Sequence, residues 1–121
     1  MLEEKIFNYL KNNIPLKKVI GSRILPNKID KNIKKPALSY FKFARYKDRI
    51  YKNGGAVKEH YQINIYSNTY NEAKAIEKEI VKLFDGVEGA IGNSFSKVTD
   101  IRDFYNNDLN MVVVDIEIAT Y

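Results

Sequence analysis

The 121-residue sequence contains no cysteine, only one histidine and only three prolines. The absence of cysteine excludes a disulfide framework, thiolate metal sites and a cysteine nucleophile. A single histidine argues against a zinc site, because such sites usually take several His or Cys ligands. No apolar run approaches the roughly 20 residues that a membrane-spanning helix needs. The start, "MLEEKIFNYLKNN", has acids that a secretory signal lacks, so we expect a soluble cytoplasmic protein without metal or cofactor.

The charge of the chain is unevenly distributed along its length. Residues 1–69 hold 15 Lys/Arg against 5 Asp/Glu, a net +10, whereas residues 70–121 hold 5 against 10, a net −5. Such asymmetry is typical of proteins that bind nucleic acid or an acidic partner. It equally fits contacts in which the basic surface of one copy meets the acidic surface of the next. The length and an apolar fraction of 45% predict one folded domain over residues 1–121.

Hydrophobic periodicity divides the first half of the chain into one helix and three strands. Residues 2–12 have helical spacing, and Pro15 is expected to end that helix because proline disfavours helical backbone in the preceding residue. A short strand is expected near residues 19–25, followed by a loop over residues 26–36. Residues 37–66 predict a hairpin, because "KNGG" supplies the glycines that tight turns need.

The second half begins where a strand runs almost directly into a helix. "YSNTYNEA" places Thr69 at the helix N-cap and Glu72 three residues later, which is a capping box. The helix is expected to stop at Gly86 and to lead into a mobile loop over residues 86–94. Two more strands surround a "YNND" turn. The sequence therefore predicts an α+β fold, with two helices on one face of a mostly antiparallel sheet of about four to five strands, in the order α-β-β-β-α-β-β.

The chain shows no pattern typical of an enzyme. The strand-to-helix junction lacks the glycines and the Lys-Ser/Thr pair of a phosphate cradle, so we assign its polar residues to capping. Gly86, Gly89 and Gly92 follow a helix instead of preceding one, unlike the glycines of a dinucleotide fingerprint. His60 is expected to be a solvated strand residue. No nucleophile, base and orienting partner are evident together, so we predict that the protein is not an enzyme.

Carboxylates are concentrated in the last two predicted strands. In the final strand, alternation places one set of residues on an apolar face and the acids on the opposite face. A solvated sheet face or a subunit contact is the expected role of the carboxylates. General acid–base chemistry and a divalent ion held between them are the alternatives. The acidic residues are Asp100, Asp103, Asp108, Asp115 and Glu117, and the apolar set is Val112, Val114, Ile116 and Ile118.

A basic and aromatic stretch occupies the first strand of the predicted hairpin. Proteins that bind single-stranded nucleic acid combine stacking aromatic side chains with a cationic groove. In a strand, however, one alternate set of side chains faces the core, so part of this pattern is packing. A structural or protein-contact role is one interpretation, and a small nucleic-acid-binding module using residues 40–52 is the other. The stretch contains Tyr40, Phe41, Phe43, Tyr46 and Tyr51, interleaved with Lys42, Arg45, Lys47, Arg49 and Lys52.

Four segments together resemble a family of small phage proteins. They are "LEEKIFNYLKNN", "KKPALSYFKF", "YQINIYSNTYNEAKAIEKEI" and "DFYNNDLNMVVVDIEIATY", in that order along the chain. In the tail completion, or tail terminator, proteins of long-tailed phages and prophages, a Q-I-x-I-Y strand likewise leads into a helix with an early Glu-Ala. A closing strand after a Tyr/Asn/Asp turn ends those chains. The resemblance is one of pattern and order over nearly the whole length.

The resemblance implies a virion structural protein without catalytic residues. Such proteins typically form a ring, commonly a hexamer, at the head-proximal end of the tail, where it ends tail polymerisation and provides the head–tail joining surface. The implied partners are other copies, the tail tube protein, the head connector and DNA in the lumen, with no membrane. The implied location is the virion, after synthesis in the host cytoplasm. We predict that the contact residues include Lys31, Lys34, Lys35, Arg45, Lys47 and Arg49.

Overall fold

Three helices and six strands make up the part of the chain that the computed structural model describes, which is residues 2–21, 23–26, 34–47, 57–106 and 109–120. None of the described helices is long and apolar enough to cross a membrane. In chain order the elements are α1 (Leu2–Lys11), α2 (Ile14–Ile20), β1 (Ile24–Pro26), β2 (Ala37–Lys47), β3 (Val57–Ser67), α3 (Tyr70–Phe84), β4 (Val87–Glu88), β5 (Ser94–Asn106) and β6 (Leu109–Thr120).

The six strands form one mixed sheet in the order β1-β2-β3-β6-β5-β4. β1 runs parallel to β2, and every other neighbouring pair is antiparallel. The predicted α+β class is confirmed, and the hairpins β2–β3 and β5–β6 are present. The predicted element order and strand number are wrong, because the structure adds α2 after α1 and β4 after α3.

The helix α2 corrects the expected effect of Pro15. Asn13 caps this helix, since its side chain accepts a hydrogen bond from the Leu16 backbone N–H, and Pro15 lies in the first turn. Proline is compatible with that position because its missing N–H would have no partner inside the helix. Pro15 therefore starts a second helix instead of closing the first. The strand expected over residues 19–25 shortens to Ile24–Pro26 as a result.

The segment after α3 is a short strand and turn, not the expected mobile loop. β4 pairs with β5 at Val87 and Glu88, and the Gly89 N–H donates to the Ser94 carbonyl at 2.7 Å. Ile91 is buried in the hydrophobic core. Gly89 has a φ of 78°, which only glycine adopts readily, so the turn depends on that residue. The expected loop over residues 26–36 lies mostly outside the described residues.

The core lies between the helices and one face of the sheet. Cross-strand pairs such as Tyr61 with Ile116 and Ile63 with Val114 point at the helices, as the alternation in β6 predicted. Tyr9 of α1 donates its hydroxyl proton to the Leu83 carbonyl at 2.9 Å, and burial raises the pKa of that phenol. The buried helical side chains are Ile6, Leu10, Leu16, Ile20, Ala73, Ile76, Ile80 and Phe84.

The predicted cap of α3 is confirmed, but the Glu72 side chain bonds to Ser67 instead of to the Thr69 N–H. The Thr69 hydroxyl accepts a hydrogen bond from the Glu72 backbone N–H at 3.2 Å. The Glu72 carboxylate accepts from the Ser67 hydroxyl at 2.7 Å, and the same Ser67 oxygen accepts from the Thr69 N–H. In a capping box the Glu side chain usually accepts directly from the N–H of the cap residue, whereas here the Ser67 hydroxyl bridges the Glu72 carboxylate and the Thr69 N–H. The sharp strand-to-helix corner is stabilised by three side chains and matches the structural role assigned to it.

We expect Thr69→Ala to lower the free energy of unfolding by about 1 kcal/mol, because the Glu72 N–H loses its acceptor. Urea denaturation followed by circular dichroism would measure the change. Thr69→Ser retains the hydroxyl and is expected to stay within a few tenths of a kcal/mol of the parent protein. An equal loss in both variants would show that the methyl group, and not the cap, stabilises this corner.

Candidate interaction surfaces

The topology separates the two charge populations of the chain. β1 and β2 together contain three basic residues and no acid, whereas β4 and β5 contain three acids and two bases. Because β1 and β2 form one side of the sheet and β5 and β4 the other, the net charge of the strands changes from +3 at one side to −1 at the other. The change in net charge along the sequence therefore corresponds to a change in net charge across the sheet. Such an arrangement offers complementary surfaces to neighbouring molecules.

The predicted contact residues lie at both ends of β2. Lys34 is exposed and Lys35 half-buried, and both precede the first residue of β2. Arg45 and Lys47 lie near its other end, where their backbones pair with Glu59 and Val57. Ten residues of strand span roughly 30 Å, so the structure does not gather these four residues into one patch. Lys31 and Arg49 lie outside the described residues, and the contact role of the whole set remains a prediction.

The first two aromatic residues of the basic and aromatic stretch lie on different sides of β2. Tyr40 is buried in the core and packs against Phe7, with 6.3 Å between ring centroids. Phe41 is half-buried on the other side of the strand. A register shift between Lys42 and Ala44 then interrupts the strict alternation that the sequence suggested. Tyr40 and Phe41 are the two rings of this stretch whose side chains the structure describes, and neither is exposed as a stacking platform for single-strand binding would be.

The sheet face opposite the helices has cross-strand ion pairs. His60, Glu117 and Lys97 are aligned on β3, β6 and β5, with His60 Nε2 3.3 Å and Lys97 Nζ 3.8 Å from the Glu117 carboxylate. Arg102 bridges Asp115 at 2.9 Å and Asp100 at 3.3 Å. His60 is therefore half-buried and paired, and not the solvated residue that we expected.

A buried chain of polar side chains continues on the same face. The Gln62 amide donates to Asn64 Oδ1 at 2.8 Å, and the Asn64 amide donates to the Ser39 hydroxyl at 3.0 Å. Ser39 in turn lies 3.4 Å from the Tyr66 hydroxyl. Ser39 and Asn64 are both buried, so each bond stabilises a group that water does not reach. The chain joins β2 to β3 on the side that the described helices do not cover.

The predicted acidic cluster does not converge on one point. Asp100 and Asp115 share Arg102, and Glu117 pairs with His60 and Lys97. The remaining described carboxylate, Asp103, bonds to a helix, and Asp108 lies outside the described residues. Within the described part of the chain, no group of three or more His, Cys, Asp or Glu side chains is placed to hold a metal ion.

Lys74 joins α3 to β5. Its ammonium group lies 2.6 Å from Asp103 and 3.0 Å from Glu77, and it stands 5.5 Å from the Tyr70 ring centroid. The hydrogen bond to Asp103 is the main cause that raises the pKa of Lys74, ahead of the opposing effect of burial. Asp103 is about half exposed, so solvent screens the pair and its contribution to stability is small.

Sequence reasoning missed an exposed patch beside this lysine. Tyr70, Phe104 and Tyr105, which we call the aromatic patch, are each more than half exposed. They line a groove of about 130 Å³ whose floor includes Ala73 and Val112. The available signal was "DFYNND", where two aromatic residues stand next to a polar turn at the end of a strand. We had assigned that segment to strand and turn only.

A second exposed apolar surface lies on α2. Ile14 is 66% exposed and Val19 42% exposed, on a helix whose buried side chains are Leu16 and Ile20. Lys17 and Lys18 are exposed between them. We call Ile14, Lys17, Lys18 and Val19 the α2 face. The sequence pattern does not predict this surface, because Pro15 is expected to end helical structure in this segment.

The fold has counterparts among solved structures, although no protein-family model and no curated protein matches the sequence. A chain of the "virion of native gene transfer agent (GTA) particle" aligns with a TM-score of 0.69 and 12% sequence identity, over 98% of this chain and 92% of that one. Another solved structure, whose name states no activity, aligns with a TM-score of 0.53 and 12% identity, over 99% and 90%. At this identity, the likeness shows that this chain shares its fold with these two proteins over almost the full length of all three.

Proposed function

We propose that this chain is a virion structural protein that caps the head-proximal end of a phage tail tube. In this role it ends tail polymerisation and provides the surface to which the head connector joins, assembled as a hexameric ring. The observation that carries the proposal is the end-to-end fold likeness to a chain of a gene transfer agent virion, a phage-like particle. The alignment covers 98% of this chain and 92% of that one.

The charge distribution supports an assembly role. A ring is built from heterologous contacts, in which one patch of a subunit meets a different patch on the next. The sheet places strands with a net charge of +3 at one side and strands with a net charge of −1 at the other, which is a polarity that such contacts can use. On the open sheet face, His60, Lys97 and Arg102 each lie beside a carboxylate of β6.

The sequence resemblance supports the position within the particle. The Q-I-x-I-Y strand is β3, and the helix with the early Glu-Ala is α3, joined by the Thr69 corner. The closing strand of the pattern is β6, which lies at the centre of the sheet between β3 and β5. Segments that resemble the tail terminator family therefore form the two central strands, β3 and β6, and the longest described helix, α3. We include in this proposal that the ring contacts the tail tube protein and the DNA in its lumen.

Deletion of the gene from the phage or prophage that encodes the chain is expected to give tails of irregular length without attached heads. Negative-stain electron microscopy of induced lysates would measure tail length and the fraction of joined particles. Supplying the wild-type chain from a plasmid is expected to restore both. Tails of normal length that join heads in the deletion strain would refute the proposed function.

A further inference from the structure

We propose that the α2 face of one copy docks on the aromatic patch of a second copy, in a head-to-tail contact. The proposal deepens the function above, and rests on it, by naming the two surfaces through which copies meet. The partner is a second copy of this chain because the molecule itself presents both halves of a complementary pair. The contact brings Ile14, with Lys17 and Lys18 on the same side of α2, to the groove beside Asp103, and Val19, about 140° around the helix from Ile14, stands at its edge.

Apolar exposure is concentrated in these two surfaces. Seven large apolar side chains are exposed among the described residues, and five of them belong to the α2 face or the aromatic patch. Single exposed apolar residues are ordinary, whereas clustered ones mark interaction sites. The two outside are Ile101, on the same strand as two patch residues, and Phe95, near the start of that strand. The clustering argues for two docking surfaces.

The groove has a size that suits one aliphatic side chain. Its volume is about 130 Å³, and its lining includes Ala73, Met111 and Val112 beside the three aromatic rings. An apolar cavity of about 150 Å³ holds a benzene molecule, so a groove slightly smaller accommodates a branched side chain such as that of Ile14. Aromatic rings that border such a groove are typical of the residues on which binding energy concentrates.

The charges around the two surfaces are opposite in sign. Lys17 and Lys18 are exposed, and neither has an ion-pair partner within the described part of the chain. On the other surface Asp103 lines the groove, and it shares Lys74 with Glu77, so two carboxylates face one ammonium group. The excess negative charge next to the aromatic patch attracts the lysines of α2. Opposite-sign surfaces also orient the encounter and disfavour contact of a surface with itself.

The two surfaces occupy different sides of α3. α2 contacts α1 and α3 and leads into β1 at one edge of the sheet. The aromatic patch stands at the first residue of α3 and on β5, which is next to the opposite edge. A contact between them is therefore heterologous, so a row of copies keeps a free α2 face at one end and a free aromatic patch at the other until a ring closes.

Sedimentation velocity of the purified full-length chain, over concentrations up to about 1 mM at low and high salt, tests the contact. We expect self-association that weakens as salt rises. Phe104→Ser is expected to weaken it at least roughly tenfold, because a ring that borders the groove is lost. Phe95→Ser is the matched control, since Phe95 lies on the same strand but outside the groove, and it is expected to retain wild-type association.

Charge reversal tests the α2 side of the contact. The double variant Lys17→Glu/Lys18→Glu is expected to abolish association at low salt, because like charges then face Asp103. Lys78→Glu/Lys82→Glu makes the same change in net charge on exposed lysines of α3 and is expected to leave association intact. Equal loss in both variants would show that only net charge matters and would overturn the proposal.

Engineered cysteines identify the surfaces directly, since the natural chain contains none. A Val19→Cys chain mixed with an Asn110→Cys chain, in which the replaced residue lines the groove and all three rings are kept, is expected to form a disulfide-linked heterodimer under mild oxidation, in preference to either homodimer. Equal amounts of all three dimers would mean random collision and would refute the contact. So would a wild-type chain that stays monomeric throughout the concentration range.

The outcomes separate this proposal from the function on which it rests. Phe104→Ser chains that still self-associate but fail to restore tails would assign the patch to another virion protein, and the proposed contact would be wrong. Intact association through the two surfaces, together with normal tails in the deletion strain, would refute the tail function and leave the contact standing.

Discussion

Phe84→Ala is expected to lower the free energy of unfolding by about 3 to 5 kcal/mol. Phe84 is fully buried at the last turn of α3, and its ring meets the Tyr9 ring edge-on, with 5.4 Å between the centroids. The neighbouring Tyr9 hydroxyl donates to the carbonyl of Leu83. Truncation therefore leaves a cavity where α1 meets α3 and removes an aromatic pair. Thermal and urea denaturation would measure the change.

Phe104→Ala is the matched control for this truncation. The same atoms are removed from a ring that is 51% exposed, so the monomer is expected to lose at most about 0.5 kcal/mol. The two variants thus separate folding from assembly: one destabilises the monomer, and the other is expected to weaken contacts between copies. A similar loss of stability in both would mean that the groove contributes to the core of the monomer.

Asn64→Ala is expected to destabilise the fold by about 1 to 3 kcal/mol. Asn64 is buried on β3, accepts a hydrogen bond from Gln62 and donates one to Ser39. Its removal breaks both bonds at a place shielded from water. Combining it with Ser39→Ala in a double-mutant cycle is expected to give a coupling of about 0.5 kcal/mol or more, because the two side chains share one bond.

The exposed Asn71 of α3 is the control for this second prediction. Asn71→Ala changes the same atoms on a solvated helix surface and is expected to alter stability by less than about 0.5 kcal/mol. Strictly additive effects of Asn64→Ala and Ser39→Ala would show that the bond between them does not contribute to stability. Equilibrium urea denaturation of the four proteins of the cycle supplies the measurement.

Local patterns were sufficient wherever one segment decides its own structure. The alternation of Val112, Val114 and Ile116 identified β6, and the spacing of Ala73, Ile76 and Ile80 identified α3, because a single buried face imposes its period on the segment. The cap at Thr69 followed from side chains within a few residues of one another. These predictions required no information about distant parts of the chain.

The sequence did not predict α2 and β4, because the local pattern in each segment is compatible with more than one structure. Pro15 is compatible both with the end of one helix and with the first turn of the next, and Asn13 selects the second possibility by capping α2. β4 has only two residues, too short for a periodic signal, and forms because β5 offers it backbone partners. In both cases the deciding partner lies outside the pattern that was used.

By itself the sequence determined the α+β class, the two long hairpins, the position and cap of the main helix, and the existence of two oppositely charged parts. Each of these follows from local propensity, periodicity or composition, which are properties of neighbouring residues. Only the tertiary structure decided that the charged parts lie at opposite sides of one sheet, that Asp103 pairs with Lys74, and that Tyr70 meets Phe104 and Tyr105 around a groove. Those arrangements depend on strand order and register, which pair residues as far apart in the chain as Val57 and Thr120 and leave no periodic trace in the sequence.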